Sequence, residues 1–529
     1  MFTLDFMILK FEVRPDRKRE SNGKINPLAR CHISLYDYHR LRHGPQPPHP
    51  GKTVISDSAA MPAQATIADA SKTGQVATPA VSAPLAAGSG KFLDGSLMGH
   101  VAVMTITSSI GLLAMFLVDF ADLFFISQLG DPSLTAAMGF ASTLLFLNSS
   151  LNIGLMITIS ALAARRIGVG RSDTTRALLG EVLLLGIGMS AVIALIFWLF
   201  APQLMTLIGA TGTAHEAAVT YIRIVAPFGP ITVTGMVCSG LLRAYGDARR
   251  AMNTTLAMAA GNAIFDPLLM FGLGWGFVGA AWATVISILL MAITGVVPIM
   301  RHYGGFALPS RASFAANLPD IRKIMGPAVL ANLATPVGGM IAFRLIADYG
   351  EASVASYAVI GRVIPLAFCL LFSLSGSIGP IIGQNYGAGQ ISRVRGTIDR
   401  AVLFAAGFTL IIWPLLIFGS DTIGQIFDLP AGGMDLIEAF AWVVVPLFFF
   451  NGLLFISNAA FNNLDRASWS SWTNWGRNTL GVLPFAIVGS NMAGAPGVLI
   501  GQAIGGVMFG IGAYALTWRR IGQIEKEIG

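Results

Sequence analysis

Apolar stretches long enough to cross a bilayer recur along this chain from Leu97 onward, and no other feature constrains its fold as tightly. A helix needs ~20 mostly apolar residues to span the ~30 Å hydrocarbon core. Twelve stretches qualify, at roughly 98–128, 132–161, 175–200, 214–242, 249–272, 277–300, 320–348, 353–383, 398–418, 434–461, 470–489 and 495–518. Turn residues such as Gly130-Asp131-Pro132 and Asp428-Leu429-Pro430 punctuate most boundaries. The fifth and sixth are parted only by Gly272–Gly276. Only 12% of the 529 residues are charged and 54% are hydrophobic, against about 25% charged in soluble domains. Lipid offers backbone groups no hydrogen-bond partner, so each stretch must close its own bonds as a helix. The predicted fold is an all-α integral membrane protein of twelve transmembrane helices.

Residues 1–95 differ in kind. They are rich in Pro, Ser, Ala, Thr and basic residues without sustained apolar periodicity, and read as a disordered cytoplasmic tail. A translation start at Met61 is the alternative for the first sixty. Cys31, Cys238 and Cys369 are too few and scattered for a disulfide framework or a metal cluster. The net charge of +7 is spread over many short loops, which argues against a nucleic-acid face.

Those loops orient the chain. Lys and Arg follow the even-numbered stretches (Arg165, Arg166, Arg171; Arg243, Arg249; Arg301, Arg311; Arg393, Arg395; Arg466; Arg519, Arg520), while the alternate connections carry none. The positive-inside rule then puts both termini in the cytoplasm of a multi-pass protein of the cell (inner) membrane. The halves also repeat. Gln128–Asp131 matches Asp348–Glu351 at a shift of 220, Gly168–Arg171 matches Gly387–Gln390 at 219, and Tyr245–Asp247 matches Asn463–Asp465 at 218. With six spans per half, both halves enter in the same sense. A pseudo-two-fold axis along the membrane normal therefore relates a bundle over 96–305 to one over 306–520, with a tail at 521–529.

Three segments carry a family resemblance: Val118–Gly130, the run from Gly240–Asp247 through Asn262–Pro267 to Gly279–Thr284, and Ile382–Ala388. Together they resemble the multidrug and toxic compound extrusion (MATE) family over about 100–520. The resemblance implies an ion-coupled exporter with Asp122 at the first-helix carboxylate, Asn262 and Asp266 at the fifth-helix pair and Thr284 at the sixth-helix hydroxyl. Segment 320–348 lacks the glutamate of the sodium-coupled NorM branch, and Pro484 holds the repeat position of Asp266, which points to the DinF-like branch. Asp119 is a departure, because the family commonly has no acid there.

Physical chemistry reads the same residues independently. A mid-membrane carboxylate costs about 2.5–3.5 kcal/mol on insertion scales and is rarely kept without a role. Asp119 and Asp122 stand i, i+3 on one helix face, close enough to couple; Asn262 and Asp266 stand i, i+4. Pro267 removes a backbone donor and frees a carbonyl at Ala263. Asp122, Asn262, Asp266 and Thr284 thus offer hard oxygens suited to a proton with water or to Na⁺. The alternative is an interhelical hydrogen-bond knot that only holds the bundle; for Asp119 it is a hydrogen-bonded helix-end carboxylate.

Arg362, Met340, Trp442 and Asn451 are candidates for a substrate cavity, with packing or lipid contact as the competing role. Arg344 and Asp348, i, i+4, read as a helix-end ion pair, and His215 as solvated in an outer loop. No phosphate-binding loop in strand–helix context supports ATP hydrolysis. The expected function is secondary antiport by alternating access: small organic, cationic and amphipathic compounds leave in exchange for H⁺ or Na⁺, without a cofactor, and a monomer suffices. A flippase for lipid-linked oligosaccharide shares the architecture, but would need a strongly cationic cavity. Only Arg223, Arg344, Arg362 and Arg477 lie in the interior as candidates.

Overall fold

The computed structural model describes residues 90–528. The expected tail up to residue 89, the alternative start at Met61 and Cys31 lie outside them. Among the described residues the ordered elements are all helical. They run as α1 (Leu97–Ser127), α2 (Pro132–Gly168), α3 (Ser172–Leu207), α4 (Gly212–Ala244), α5 (Ala248–Gly272), α6 (Gly276–His302), α7 (Arg311–Ala347), α8 (Glu351–Ala367 with Cys369–Gly387), α9 (Ile391–Ile426) and α10 (Gly432–Asn463). The last stretch, Ala467–Glu527, is broken by non-helical backbone at Ala493 and Gly494. Its two arms are α11 (Ala467–Asn478, resuming after a turn at 479–482 and running to 492) and α12 (495–528), and the total is twelve.

Glycine packing shows that these arms form an antiparallel hairpin. A Cβ on Gly505 would strike Gly481, one on Gly501 would strike Phe485, and one on Gly497 would strike Gly489. Small residues spaced by four allow such close helix approach in lipid. Each expected stretch falls on a helix, and local chemistry explains many starts. At the first turn Gly130 adopts φ 77°, Asp131 accepts from the Ser133 amide at 2.9 Å, and Pro132 opens α2. Outside the bundle the surface stays apolar. Leu410, Ile411, Leu415 and Phe418 of α9 are all exposed, as befits a face that acyl chains cover.

The halves meet through α1 and α2 on one side and α7, α8 and α9 on the other. Gly168 lies against the backbone of Gln384, and Gly387 lies against the backbone of Arg165. A shift of 219 converts one contact into the other, the signature of an isologous two-fold interface. Both contacts sit at the end bearing the basic loops. Arg165 pairs with Asp465 at 2.5 Å across the halves, and the Tyr386 hydroxyl donates to Asp465 at 2.8 Å. Farther along, Phe120 of α1 and Arg362 of α8 are exposed, with the guanidinium 5.7 Å from the ring.

Two boundaries differ from the sequence reading. The tail expected to reach residue 95 is already packed at residue 92, where Phe92 is 1% exposed. The Phe92 amide donates to Gln384 Oε1 at 3.0 Å, Arg393 donates to the Phe92 carbonyl at 2.9 Å, and Lys91 Nζ donates to the Gly246 carbonyl at 2.8 Å. This short strap escaped notice because one aromatic in a Ser/Ala/Gly-rich segment has no periodicity. The expected tail from 521 instead continues α12, with Ile521 and Ile524 buried and Arg520 donating to the Leu464 carbonyl at 3.0 Å.

The Arg165–Asp465 latch carries a pH prediction. Burial pushes the Asp465 carboxyl up, but the Arg165 guanidinium and the Tyr386 hydrogen bond outweigh it and leave the group below its ordinary value. A carboxylate depressed in the latched state stabilises that state above its ordinary value and loses the contribution only as pH falls through the depressed one. The latch is therefore expected to be insensitive between about pH 5.5 and 8. Spin labels at Arg171→Cys and Gln390→Cys should give one distance distribution across that range. Asp465→Asn should add a separated population by a few-fold at most, since a pair whose carboxylate is half exposed is worth about 1 kcal/mol or less.

Candidate functional site

The N-terminal half holds a polar knot between α1 and α5. Asp122, Asn262 and Asp266 are 7%, 6% and 1% exposed. Asn262 Nδ2 donates to Asp122 Oδ2 at 3.0 Å, and Asp266 neighbours the same contact from one turn along α5. Helical spacing puts Asn262 and Asp266 one turn apart on α5, and the packing of α1 on α5 brings Asp122 to both. Close approach is possible partly because Gly111 of α1 lies against Thr255 of α5.

Three oxygens in this knot are buried without a partner among the described residues: Asp122 Oδ1, Asn262 Oδ1 and Asp266 Oδ2. Glu181 of α3 is the informative contrast. It is also fully buried, yet Ser313 donates to one carboxylate oxygen and Asn317 Nδ2 to the other, at 2.8 Å for the latter. Glu181 is satisfied and anchors the start of α7, whereas the Asp122 knot leaves acceptors open. Buried acceptors are nearly always paired in proteins. Two neighbouring carboxyls that form no ion pair with Lys or Arg among the described residues hold one negative charge too many for an apolar site, unless a proton or a cation is shared. The open oxygens fit either.

The other sequence candidates sit around this knot or away from it. Asp119 is exposed on α1 and feels Asp122 only through charge, so it neighbours the knot without joining its hydrogen bonds. The Thr284 hydroxyl lies 2.9 Å from the Tyr221 hydroxyl and donates to the Ala280 carbonyl at 3.1 Å. Thr284 is thus held by Tyr221, a residue that sequence reasoning passed over. Tyr221 is 1% exposed and near enough for the charges of Asp119, Asp122 and Asp266 to bear on it. A tyrosine in an apolar stretch, which needs a buried hydroxyl partner, was the signal available. The disturbance expected at Pro267 takes the form of a π turn over Leu268–Gly272, a deviation often found at functional sites.

In the C-terminal half the cavity candidates separate. Asn451 is buried and accepts from Arg477 at 2.5 Å. Met340 is 71% exposed and lines an apolar cleft with Pro336, Phe343 and Tyr357. Trp442 is exposed on a π turn of α10, Phe440–Val444. Arg344 pairs with Asp348 at 2.5 Å, as its spacing predicts. His215 departs from the solvated loop residue expected: its Nε2 lies 3.0 Å from the Pro202 carbonyl and 3.3 Å from Thr206. Among the described residues no group of three or more His, Cys, Asp or Glu is placed to hold a metal.

Two six-helix halves about a pseudo-two-fold axis, joined at one end and carrying buried carboxyls with open acceptors, define a polytopic membrane transporter. The MatE family model matches residues 108–268 and again 327–488, stretches that start 219 residues apart. This chain belongs to the MatE (multidrug and toxic compound extrusion) family, whose members are transporters rather than enzymes. It is 30% identical to an FAD transporter of Shewanella oneidensis over 79% of this chain and 93% of the relative. It is 25% identical to the multidrug export protein MepA of Staphylococcus aureus over 49% of this chain and 57% of MepA's length. A crystal structure of the Vibrio cholerae MATE transporter VcmN superposes with a TM-score of 0.75 at 25% identity, covering 80% of this chain and 96% of that one. An outward-facing MATE family transporter gives 0.77 at 23% identity, a likeness of fold.

Proposed function

We propose that this protein is a secondary active antiporter of the inner membrane that exports small organic compounds in exchange for H⁺ or Na⁺, with Asp122, Asn262 and Asp266 as the coupling site. The observation that carries the reading is the trio of buried, unpartnered oxygens in that knot. Loading them with a proton or Na⁺ removes the surplus charge, and Tyr221 with Thr284 braces the adjoining wall. Coupling requires that the ion and the substrate favour different members of one conformational equilibrium. With both termini cytoplasmic by the positive-inside rule, closure at the basic end makes this the outward-open member. Pro484, at the repeat position of Asp266, supports the DinF-like branch, and two fused halves support a working monomer.

The name of the Shewanella relative supports aromatic, phosphate-bearing compounds as substrates beside the organic cations expected from the family. The flippase alternative needs a strongly cationic cavity. Arg344 is tied to Asp348 and Arg223 lies 6.0 Å from the Trp198 ring, which leaves Arg362, Arg477 and the cavity-lining Arg243, too few for a strongly cationic cavity, and so favours export. Efflux of a fluorescent organic cation from proteoliposomes, under an imposed proton gradient or an imposed sodium gradient, tests the reading. One gradient is expected to drive flux and the other not. Flux indifferent to both would overturn the coupling assignment for that substrate.

A further inference from the structure

Arg477 stands ten residues into α11, about 15 Å along a helix of 1.5 Å rise, close to the middle of the bilayer core. Its Nη1 donates to Asn451 Oδ1 at 2.5 Å and its Nη2 to Asn478 Oδ1 at 3.3 Å, while Nε is buried without a partner. It takes part in no ion pair among the described residues. Packing places its two partners: Asn478 is pressed tightly against Gly338 of α7, and Asn451 makes ordinary contact with Gly506 of α12. The guanidinium is thus held within the C-terminal half by neutral amide oxygens, which solvate a cation without cancelling its charge. The residue as a whole is half-buried.

The two halves carry opposite charge on equivalent walls. α5 presents Asn262 and Asp266, and a shift of 218 places Leu480 and Pro484 there on α11, with Arg477 one turn earlier, opposite Ala259. A mid-membrane charge with no counter-ion is costly and marks a pathway or a ligand. A guanidinium with spare donors in a fixed fork matches the paired oxygens of a carboxylate or a phosphate.

We infer that Arg477, positioned by Asn451 and Asn478, forms an anion subsite in the C-terminal half that receives the phosphate or carboxylate group of an organic substrate. The inference rests on the transporter reading and specifies its substrate class. It is tested by flavin fluorescence titration onto the full-length protein in nanodiscs. Riboflavin, riboflavin 5′-phosphate and 10-carboxymethylflavin share one chromophore and differ in their charged group. The wild type should bind at least one of the two anionic flavins roughly tenfold or more tighter than riboflavin, and which one names the natural anion. Arg477→Gln should erase that preference while leaving riboflavin affinity unchanged. Asn451→Asp, which supplies a carboxylate to fill the fork without stranding the buried charge, should erase it too. Lys323→Gln, an exposed cation beside Asp320 and outside both sites, should keep the preference, which separates the subsite from a general effect of net charge. Equal wild-type affinity for all three flavins, or loss of riboflavin and anion binding alike in Arg477→Gln, overturns the subsite.

Discussion

Asp122→Asn is expected to bring gradient-driven efflux down to the level of protein-free vesicles, a loss of about tenfold or more, while the protein still inserts and folds. The amide matches the carboxyl in shape and can still hydrogen-bond Asn262, but it no longer gains or loses a proton. Removing one of two adjoining negative charges from an apolar site also relieves repulsion, so the thermal midpoint should hold or rise. The change in stability should stay within about 1 kcal/mol. Asp266→Asn should behave alike, because each carboxyl is half of the same site. Asp119→Asn should cost much less, since Asp119 is exposed and outside the hydrogen-bonded knot. Efflux at equal expression, read beside the thermal midpoint, decides. Wild-type active efflux from Asp122→Asn would remove this residue from the coupling site.

The second large effect is expected at the seam. In Gly168→Val the new Cβ would come within 3.0 Å of the Gln384 backbone, and in Gly387→Val within 3.0 Å of the Arg165 backbone except where the halves move apart. A backbone atom cannot swing aside as a side chain can, so the clash is borne by the state closed at the basic end. Overpacking of this kind costs about 1–3 kcal/mol, enough to shift the balance of states by roughly fivefold to 150-fold. Efflux should fall steeply in either variant. Spin labels at residues 171 and 390 should report a separated basic end. Because the two contacts are mates under the repeat, either substitution should have nearly the same effect. An unchanged label distance in both would show that the seam does not gate.

The two predictions differ in how far sequence alone reaches. Asp122, Asn262 and Asp266 were legible because a carboxylate in an apolar stretch stands out by its desolvation cost. The i, i+4 spacing on α5 fixes a common face before any packing is known. The glycines at 168 and 387 were visible as repeat mates, but nothing in their spacing said that each would meet the other half's backbone. Thr284 was placed with the carboxyls on the strength of the resemblance. In the structure its hydroxyl meets that of Tyr221.

Span count, the repeat and the sidedness of the loops are properties of the chain as written. Every backbone amide in lipid must be satisfied within its own segment, so hydropathy alone marks where a helix runs. The offset of 218–220 residues and the basic loops follow from reading along one dimension. Contacts between helices do not. A helix that is apolar all round carries no hydrophobic stripe to say which face turns inward. So the bend of 44° between the arms of α8, the burial of Phe92 against Gln384 and the meeting of Arg477 with Asn451 emerge only in three dimensions. There, close packing of small residues and the pairing of buried polar groups select among rotations that the sequence leaves equivalent.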